Sequence, residues 1–363
     1  MDAEFALAAS APFETPVAVV DERLMEENLR RMAALAAAAG IALRPHAKTH
    51  KSTHVAHRQL AHGAIGLTVA TLTEAEMAAR AGAGDILLAH PPVGDAKLRR
   101  LEKLAAAVNR LGVSVDDVEV ARALPAAVDV LWEVDTGLRR LGTPPGEATV
   151  AQVHELLHHI EPARFRGLLT HGGHAYMAAN DGARRQAAAE EAGGLRETAE
   201  LLRASGVEVR ELSVGSTPTA GHSGEQHGIT ELRPGTYVYG DANQVVLRSQ
   251  LQEQCALGVV ATVIGAYPDR VVVDAGSKAI SADLRVPGLN GYGMVVANRE
   301  PVLERLSEEH GVITGAPALR VGDRVVILPA HACTTVNLHP ALLFAGDGQP
   351  RWVPVDARGW RSR

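Results

Sequence analysis

The feature that most constrains this chain is a regular alternation of short apolar runs with segments of helical spacing. Strand-like runs fall near residues 41–48, 64–70, 86–90, 112–116, 129–135, 165–171, 210–216 and 235–239. Most intervals between them repeat apolar residues at helical spacing, as in 73–81, 95–109, 150–160 and 183–204. Short, continuously apolar strands separated by helices predict parallel βα units with both sheet faces covered. Eight such strands are the number that closes a (β/α)8 barrel of roughly standard length. An open doubly wound sheet uses the same alternation. However, the first βα turn, Lys48-Thr49-His50-Lys51, lacks the Gly-x-Gly-x-x-Gly of a dinucleotide site. The expected fold class is α/β, a TIM barrel.

After about residue 245 the pattern changes. Runs at 259–264, 270–274 and 324–328 read as strands joined by turns, and long helical stretches are nearly absent. This predicts a second, C-terminal, mainly-β domain. The expected division is a barrel over 17–245 and a β-domain over 246–363, with the lead 1–16 pairing into the latter. A chain of 363 residues with 46% hydrophobic content exceeds a single core and can fill two. The net charge of −6, with basic residues spread along the chain, leaves no nucleic-acid footprint. The most apolar run, 33–43, is broken by Gly40 and too short to span a bilayer. With no basic segment ahead of an apolar one at the N-terminus, and only Cys255 and Cys333, a soluble cytoplasmic protein without disulfides is expected.

In a parallel barrel, chemistry collects at the C-terminal ends of the strands. The first run ends in Arg44-Pro45-His46-Ala47-Lys48. On an extended strand Arg44, His46 and Lys48 share a face. A lysine crowded by cations is a candidate amine nucleophile toward a carbonyl; a basic turn leading into a helix is the alternative. The fifth run ends in Asp135-Thr136-Gly137, followed by Arg139 and Arg140, and the sixth in Thr170-His171-Gly172. Gly215-Ser216-Thr217 follows the seventh, where barrels commonly bind phosphate, and Gly235-Thr236-Tyr237 offers a second wall. A nucleophilic lysine facing a phosphate cradle fits pyridoxal phosphate held as a Schiff base. Lys278, in the β-domain, is the rival lysine. In that domain His331 and Cys333, two apart on a presumed strand, face one way, and imidazole with thiolate suits zinc. A buried cysteine beside a surface histidine is the alternative. Cys255 reads as core, and His54, His57 and His62 as surface or packing residues.

Arg44-Pro45-His46-Ala47-Lys48-Thr49-His50-Lys51 resembles the cofactor-lysine segment of the D-threonine aldolase and D-serine dehydratase-like family, fold-type III pyridoxal phosphate enzymes related to alanine racemase. The likeness continues in order through Thr15-Pro16, Val134-Asp135-Thr136-Gly137 with Arg140 and Gly142, and Leu169-Thr170-His171-Gly172. It extends through Val214-Gly215-Ser216-Thr217, Arg233-Pro234-Gly235-Thr236-Tyr237, Asp274-Ala275-Gly276, Glu309-His310-Gly311 and His331-Ala332-Cys333. The resemblance implies that Lys48 carries the cofactor and that His171 is catalytic. It further implies that Arg140 and the segments Gly215, Ser216, Thr217 and Gly235, Thr236, Tyr237 bind the cofactor. His331 and Cys333 would hold a divalent metal, zinc before manganese. A head-to-tail homodimer with its active site at the barrel mouth against the β-domain is implied as well. His-x-Cys is similar to the dehydratases, whereas bacterial aldolases tend to carry His-x-Asp. His171 and Asn337-Leu338-His339 resemble aldolases instead. The implied activity is a lyase on D-3-hydroxy amino acids, a dehydratase giving 2-oxo acid and ammonia, with retro-aldol cleavage to glycine and aldehyde as the alternative. A racemase would leave the metal pair without a role, and a non-catalytic cofactor carrier would not need the second domain.

Overall fold

The computed structural model describes residues 13–283, 285–296, 301–315, 319–346 and 348–359. Of the lead expected to pair into the β-domain, residues 1–12 lie outside this range. The chain divides into two compact units. Among the described residues, one comprises Arg31–Lys48 and Thr53–Gly235; the other comprises 13–30, Thr49–Ser52 and Thr236–Gly359.

Strand β1 (Val17–Asp21) and helix α1 (Glu22–Ala38) open the chain. Strands and helices then alternate: β2 (Ala42–Leu43), α2 (Thr53–Ala61), β3 (Leu67–Val69), α3 (Leu72–Arg80), β4 (Asp85–Leu88), α4 (Asp95–Ala105), β5 (Arg110–Val115) and α5 (Val118–Arg122). The series continues with β6 (Asp129–Glu133), α6 (Glu147–Leu157), β7 (Phe165–Leu169), α7 (Asp181–Ala204), β8 (Glu211–Val214), α8 (Ala220–Ser223) and β9 (Glu231–Leu232).

Strands β2 to β9 form one eight-stranded sheet in the order β2-β9-β8-β7-β6-β5-β4-β3, and every pairing is parallel. Its two ends meet. The amide of Ile65 donates to Leu43 O at 2.9 Å, that of Thr68 donates to Pro45 O at 2.8 Å, and His46 bridges Thr68 in parallel register. The expected (β/α)8 barrel is therefore the fold. Covered on both faces, its strands are continuously apolar; Leu87, Leu131 and Leu169 from β4, β6 and β7 pack as one buried cluster.

The eighth strand departs from expectation. It lies at Glu231–Leu232, not 235–239, and Thr236–Val238 form a 3-10 turn. Pro234 has no N–H to donate and Gly235 follows it, so the ladder ends before the expected run begins.

The N-terminal ends of the strands carry charge. Asp85, Arg110, Asp129, Glu211 and Glu231 are each the first residue of a strand. Arg44 Nε donates to Glu231 at 2.7 Å, and its other nitrogens reach Asp85 at 2.8 and 3.0 Å. Arg166, equally buried, donates to Glu211 at 2.7 Å. This corrects the grouping of Arg44 with His46 and Lys48 on one face. The strand is only two residues long, and Arg44 is aimed at carboxylates on β4 and β9.

In the other unit, α9 (Ala242–Val246) leads to β10 (Leu257–Ala266), β11 (Arg270–Val273), β12 (Gly293–Val295), β13 (Val302–Leu306), β14 (Gly311–Thr314) and β15 (Arg324–Pro329). Helix α10 (Ala332–Leu338), β16 (Ala341–Ala345) and β17 (Arg351–Pro354) follow. These strands and β1 form a nine-stranded sheet, antiparallel apart from the β1–β16 pair. Runs of valine supply β-branched side chains for its core: Val17 and Val19 of β1 pack with Val260, Val326, Leu343 and Ala345. Among the described residues no helix is long and apolar enough to cross a membrane.

Candidate active site

Three residues after β2 the backbone tightens into a 3-10 turn, Ala47–Thr49, that carries Lys48 into a cavity of about 390 Å³. The same cavity is lined by Arg140, His171 and Gly215, which the strand-end argument singles out, and by His46, His90, Glu133 and Arg233. All of them lie in the barrel unit.

The two cavity histidines, His46 and His171, are both shifted toward the neutral form. Burial comes first, and Lys48, Arg140 and Arg233 add to it, so the imidazoles of His46 and His171 lie well below the ordinary histidine range. The tautomers follow from the partners. His171 Nδ1 is 2.8 Å from the carbonyl of Gly215, which can only accept, so Nδ1 carries the proton and Nε2 keeps a lone pair. His46 Nδ1 instead accepts the backbone N–H of Lys48 at 3.3 Å, which leaves its proton on Nε2.

Glu133 ends β6 and is almost fully buried. Burial raises its pKa, against the hydroxyl of Ser114 at 2.7 Å and the nearby Arg140 and Arg233, which lower it. Arg233 follows β9. It donates to Thr170 O at 2.5 Å and to the hydroxyl of Ser213, and burial lowers its pKa. The cavity thus gathers lysine and arginine cations around one carboxyl, an arrangement that favours an anionic occupant.

The turn after β8 is shaped for close approach. Gly215 has φ +149°, and a Cβ there would sit 2.6 Å from the backbone nitrogen of Arg233. Ser216 and Thr217 are buried beside it. A glycine that keeps a side chain off the cavity wall, followed by two hydroxyls, fits a phosphate group. With Lys48 in the same cavity, the residues fit pyridoxal phosphate. Of the second expected wall, Gly235 ends the barrel unit, whereas Thr236 and Tyr237 belong to the other unit and are buried there.

The other unit holds His331 and Cys333. They are not on one strand: β15 ends at Pro329, and His331 is the residue before α10, whose first turn contains Cys333. The junction rather than strand alternation brings them together. Burial would lower the His331 pKa, but Cys333, by charge and by hydrogen bond, with Asp241 and Asp283, pushes it up to about 9. Cys333 Sγ also lies 3.1 Å from the hydroxyl of Thr49, the residue after Lys48 in sequence, and 3.7 Å from that of Thr236. His331 Nδ1 is buried without a hydrogen bond, 3.5 Å from an Asp283 oxygen. An imidazole and a thiolate with an unsatisfied ring nitrogen fit a soft divalent metal. Among the described residues no group of three or more His, Cys, Asp or Glu is placed to hold one, so these two side chains would leave open coordination positions. Lys278 is exposed and paired with Glu308 and Glu309 at 2.8 and 3.1 Å. Cys255 is buried, as expected of a core thiol.

The family model described as alanine racemase, N-terminal domain, matches residues 20–243, and that described as putative serine dehydratase domain matches 256–345. The chain is 36% identical, over 96% of its length and 98% of the relative's, to D-threo-3-hydroxyaspartate dehydratase of Delftia sp. strain HT23. The solved structure of that enzyme superposes with a TM-score of 0.87 over 96% of this chain and 99% of that one. A cysteine-to-alanine variant of it, described as the metal-free form, gives 0.86. D-threonine aldolase of Arthrobacter sp. is 34% identical over 96% of this chain and 94% of its own. The structure of D-threonine aldolase from Filomicrobium marinum gives a TM-score of 0.86 at 30% identity, covering 95% of each chain.

Proposed function

This chain belongs to the alanine racemase N-terminal domain family, with a serine dehydratase-type domain following the barrel, and from that premise we propose that it is a pyridoxal phosphate- and metal-dependent lyase acting on D-3-hydroxy amino acids. The observation that carries the reading is Lys48 at the end of the first barrel strand, in one cavity with neutral His171 and the Gly215 turn. Of the lyase reactions, loss of water is favoured. Cys333 places a sulfur ligand beside His331, and the Delftia relative, matched end to end, is a dehydratase. Retro-aldol cleavage is the second reading, favoured by the aldolase relatives and by the free Nε2 of His171.

Pyridoxal phosphate, when bound, supplies an electron sink for negative charge formed at the substrate Cα. A divalent metal, zinc first and manganese second, would be held by His331 and Cys333 and supplies a Lewis acid for a hydroxyl. The protein's own residues do the rest. Lys48 Nζ would hold the cofactor through its aldehyde and, freed when the substrate amine takes its place, would be the base for the Cα proton. Gly215, Ser216 and Thr217 seat the phosphate. Arg140 and Arg233 hold positive charge over the anionic groups of cofactor and substrate. In the aldolase reading His171 Nε2 takes the proton of the substrate hydroxyl, its ring fixed by the bond from Nδ1 to Gly215 O. A homodimer is part of the proposal on family membership; light scattering during size-exclusion chromatography tests it.

The deciding experiment incubates the purified protein with D-serine, D-threonine and D-threo-3-hydroxyaspartate, with and without chelator, and identifies the products. A 2-oxo acid and ammonia, lost with chelator, are expected. Glycine and an aldehyde would replace the dehydratase reading by the aldolase one, and chelator-insensitive racemisation would sink both.

A further inference from the structure

Behind the cavity lies a carboxylic acid that the proposed chemistry does not use. Glu191, in the middle of α7, is fully buried, and neither carboxyl oxygen makes a hydrogen bond of normal geometry among the described residues. A lone helix glutamate is ordinarily solvated; a buried and unsatisfied one carries a substantial desolvation cost. Its place in the fold is specific. A Cβ at Gly172 would lie 2.4 Å from the Glu191 carboxyl carbon and from one of its oxygens, so the carboxyl fills the space a side chain would need directly after His171. Burial raises its pKa to about 7, against Arg233, the hydroxyl of Thr219 and the amides of Gly172 and Gly215, which favour the charged form. These groups come from the turn after β7, the turn after β8 and the segment after β9, and His171, Gly215 and Arg233 line the cavity.

We propose that Glu191 is a positioning residue: its carboxyl, lodged between the turns after β7 and β8, holds His171 and the Gly215–Thr217 turn in register, so that the phosphate seat is formed before its ligand arrives. A direct side-chain link between the two turns runs from His171 Nδ1 to Gly215 O at 2.8 Å. Glu191 supports that link from behind, within reach of the amides of Gly172 and Gly215. A seat held by rigid neighbours loses less order when its ligand binds, which raises affinity without adding a contact. The inference rests on reading Gly215–Thr217 as a phosphate turn.

The test measures the affinity of apoprotein for pyridoxal phosphate by absorbance and fluorescence titration. Wild type is compared with Glu191→Gln, Glu191→Leu and Gly172→Ala, and the melting temperature of each is recorded. Leucine fills the space without polar atoms, and alanine at 172 displaces the carboxyl from the other side. Both are expected to weaken binding about 10- to 100-fold. Glutamine keeps shape and an acceptor and is expected to stay within about threefold of wild type. If Glu191→Leu does not fold, Gly172→Ala reports on the same contact. Leucine and alanine variants that lower the melting temperature but bind as tightly as wild type would overturn the proposal, and so would a glutamine variant as weak as leucine. Wild-type apoprotein that takes up no pyridoxal phosphate would instead overturn the cofactor reading itself.

Discussion

Two buried arginines in the same barrel have opposite surroundings. Arg44 lies at the N-terminal ends of the strands with Asp85 and Glu231 against its guanidinium, and their charges raise its pKa despite burial. Arg233 lies at the C-terminal ends, bonded to a carbonyl and a hydroxyl, and burial lowers its pKa. The first charge is neutralised inside the protein. The second is hydrogen-bonded by neutral groups, with Glu231, Glu133 and Glu191 acting on it by charge alone. The difference follows the general division of these barrels, with support at one end of the strands and chemistry at the other.

The comparison can be broken most directly at Arg44. Arg44→Met leaves the buried Glu231 without its cation and takes from Asp85 the nearest of its three arginines, and denaturant unfolding should show a loss of about 3–5 kcal/mol. The folded fraction should still bind pyridoxal phosphate; a variant of normal stability that had lost cofactor affinity would reverse the assignment of the two arginines. Arg233→Lys sharpens the other side. It keeps the charge but not the planar fork, so kcat/KM should fall about 10- to 100-fold while stability changes by about 1 kcal/mol. Equal losses in both quantities would mean that Arg233 is as structural as Arg44.

The smallest effect concerns the neutral histidines. His46 and His171 have folded pKa values below the unfolded one, so the unfolded chain binds more protons in the acid range. Their contribution is present above about pH 6.5 and is lost as pH falls below it, by up to about 1.4 kcal/mol per pH unit for each ring. Unfolding between pH 7 and 5 should show this slope, reduced by about one proton in His171→Asn. A slope that His171→Asn leaves unchanged would mean that His171 is charged in the folded protein.

Much of this was legible in the sequence. The eight barrel strands show because strands covered on both faces are continuously apolar. Lys48, Arg140, His171 and Gly215 share one cavity because the architecture sends successive strand ends to the same place. What failed was argument from local alternation. Arg44 was grouped with His46 and Lys48, yet its partners lie 41 and 187 residues away in sequence. Neither is visible from the spacing of a basic run. His331 and Cys333 meet through a strand-to-helix junction, for which the same-face rule is irrelevant. Thr236 and Tyr237, expected at a strand end, fall beyond Pro234. Glu133 and Glu191 carry no sequence signal, because an acidic residue at a strand end or on a helix is ordinarily solvated. Only packing against β5 in one case, and Gly172 in the other, shows them to be buried. Arg233 carries a signal in its Arg-Pro-Gly segment, whose family likeness points to the turn that follows.

The central claim is that Lys48 in the barrel cavity carries the cofactor. Reduction of the pyridoxal phosphate-loaded protein with borohydride, followed by peptide mapping, tests it directly. The account predicts a pyridoxyl label on Lys48 and a Lys48→Ala variant with no reducible chromophore and activity lower by at least about 10²- to 10⁴-fold. A label on Lys278, or a chromophore that survives Lys48→Ala, would contradict it.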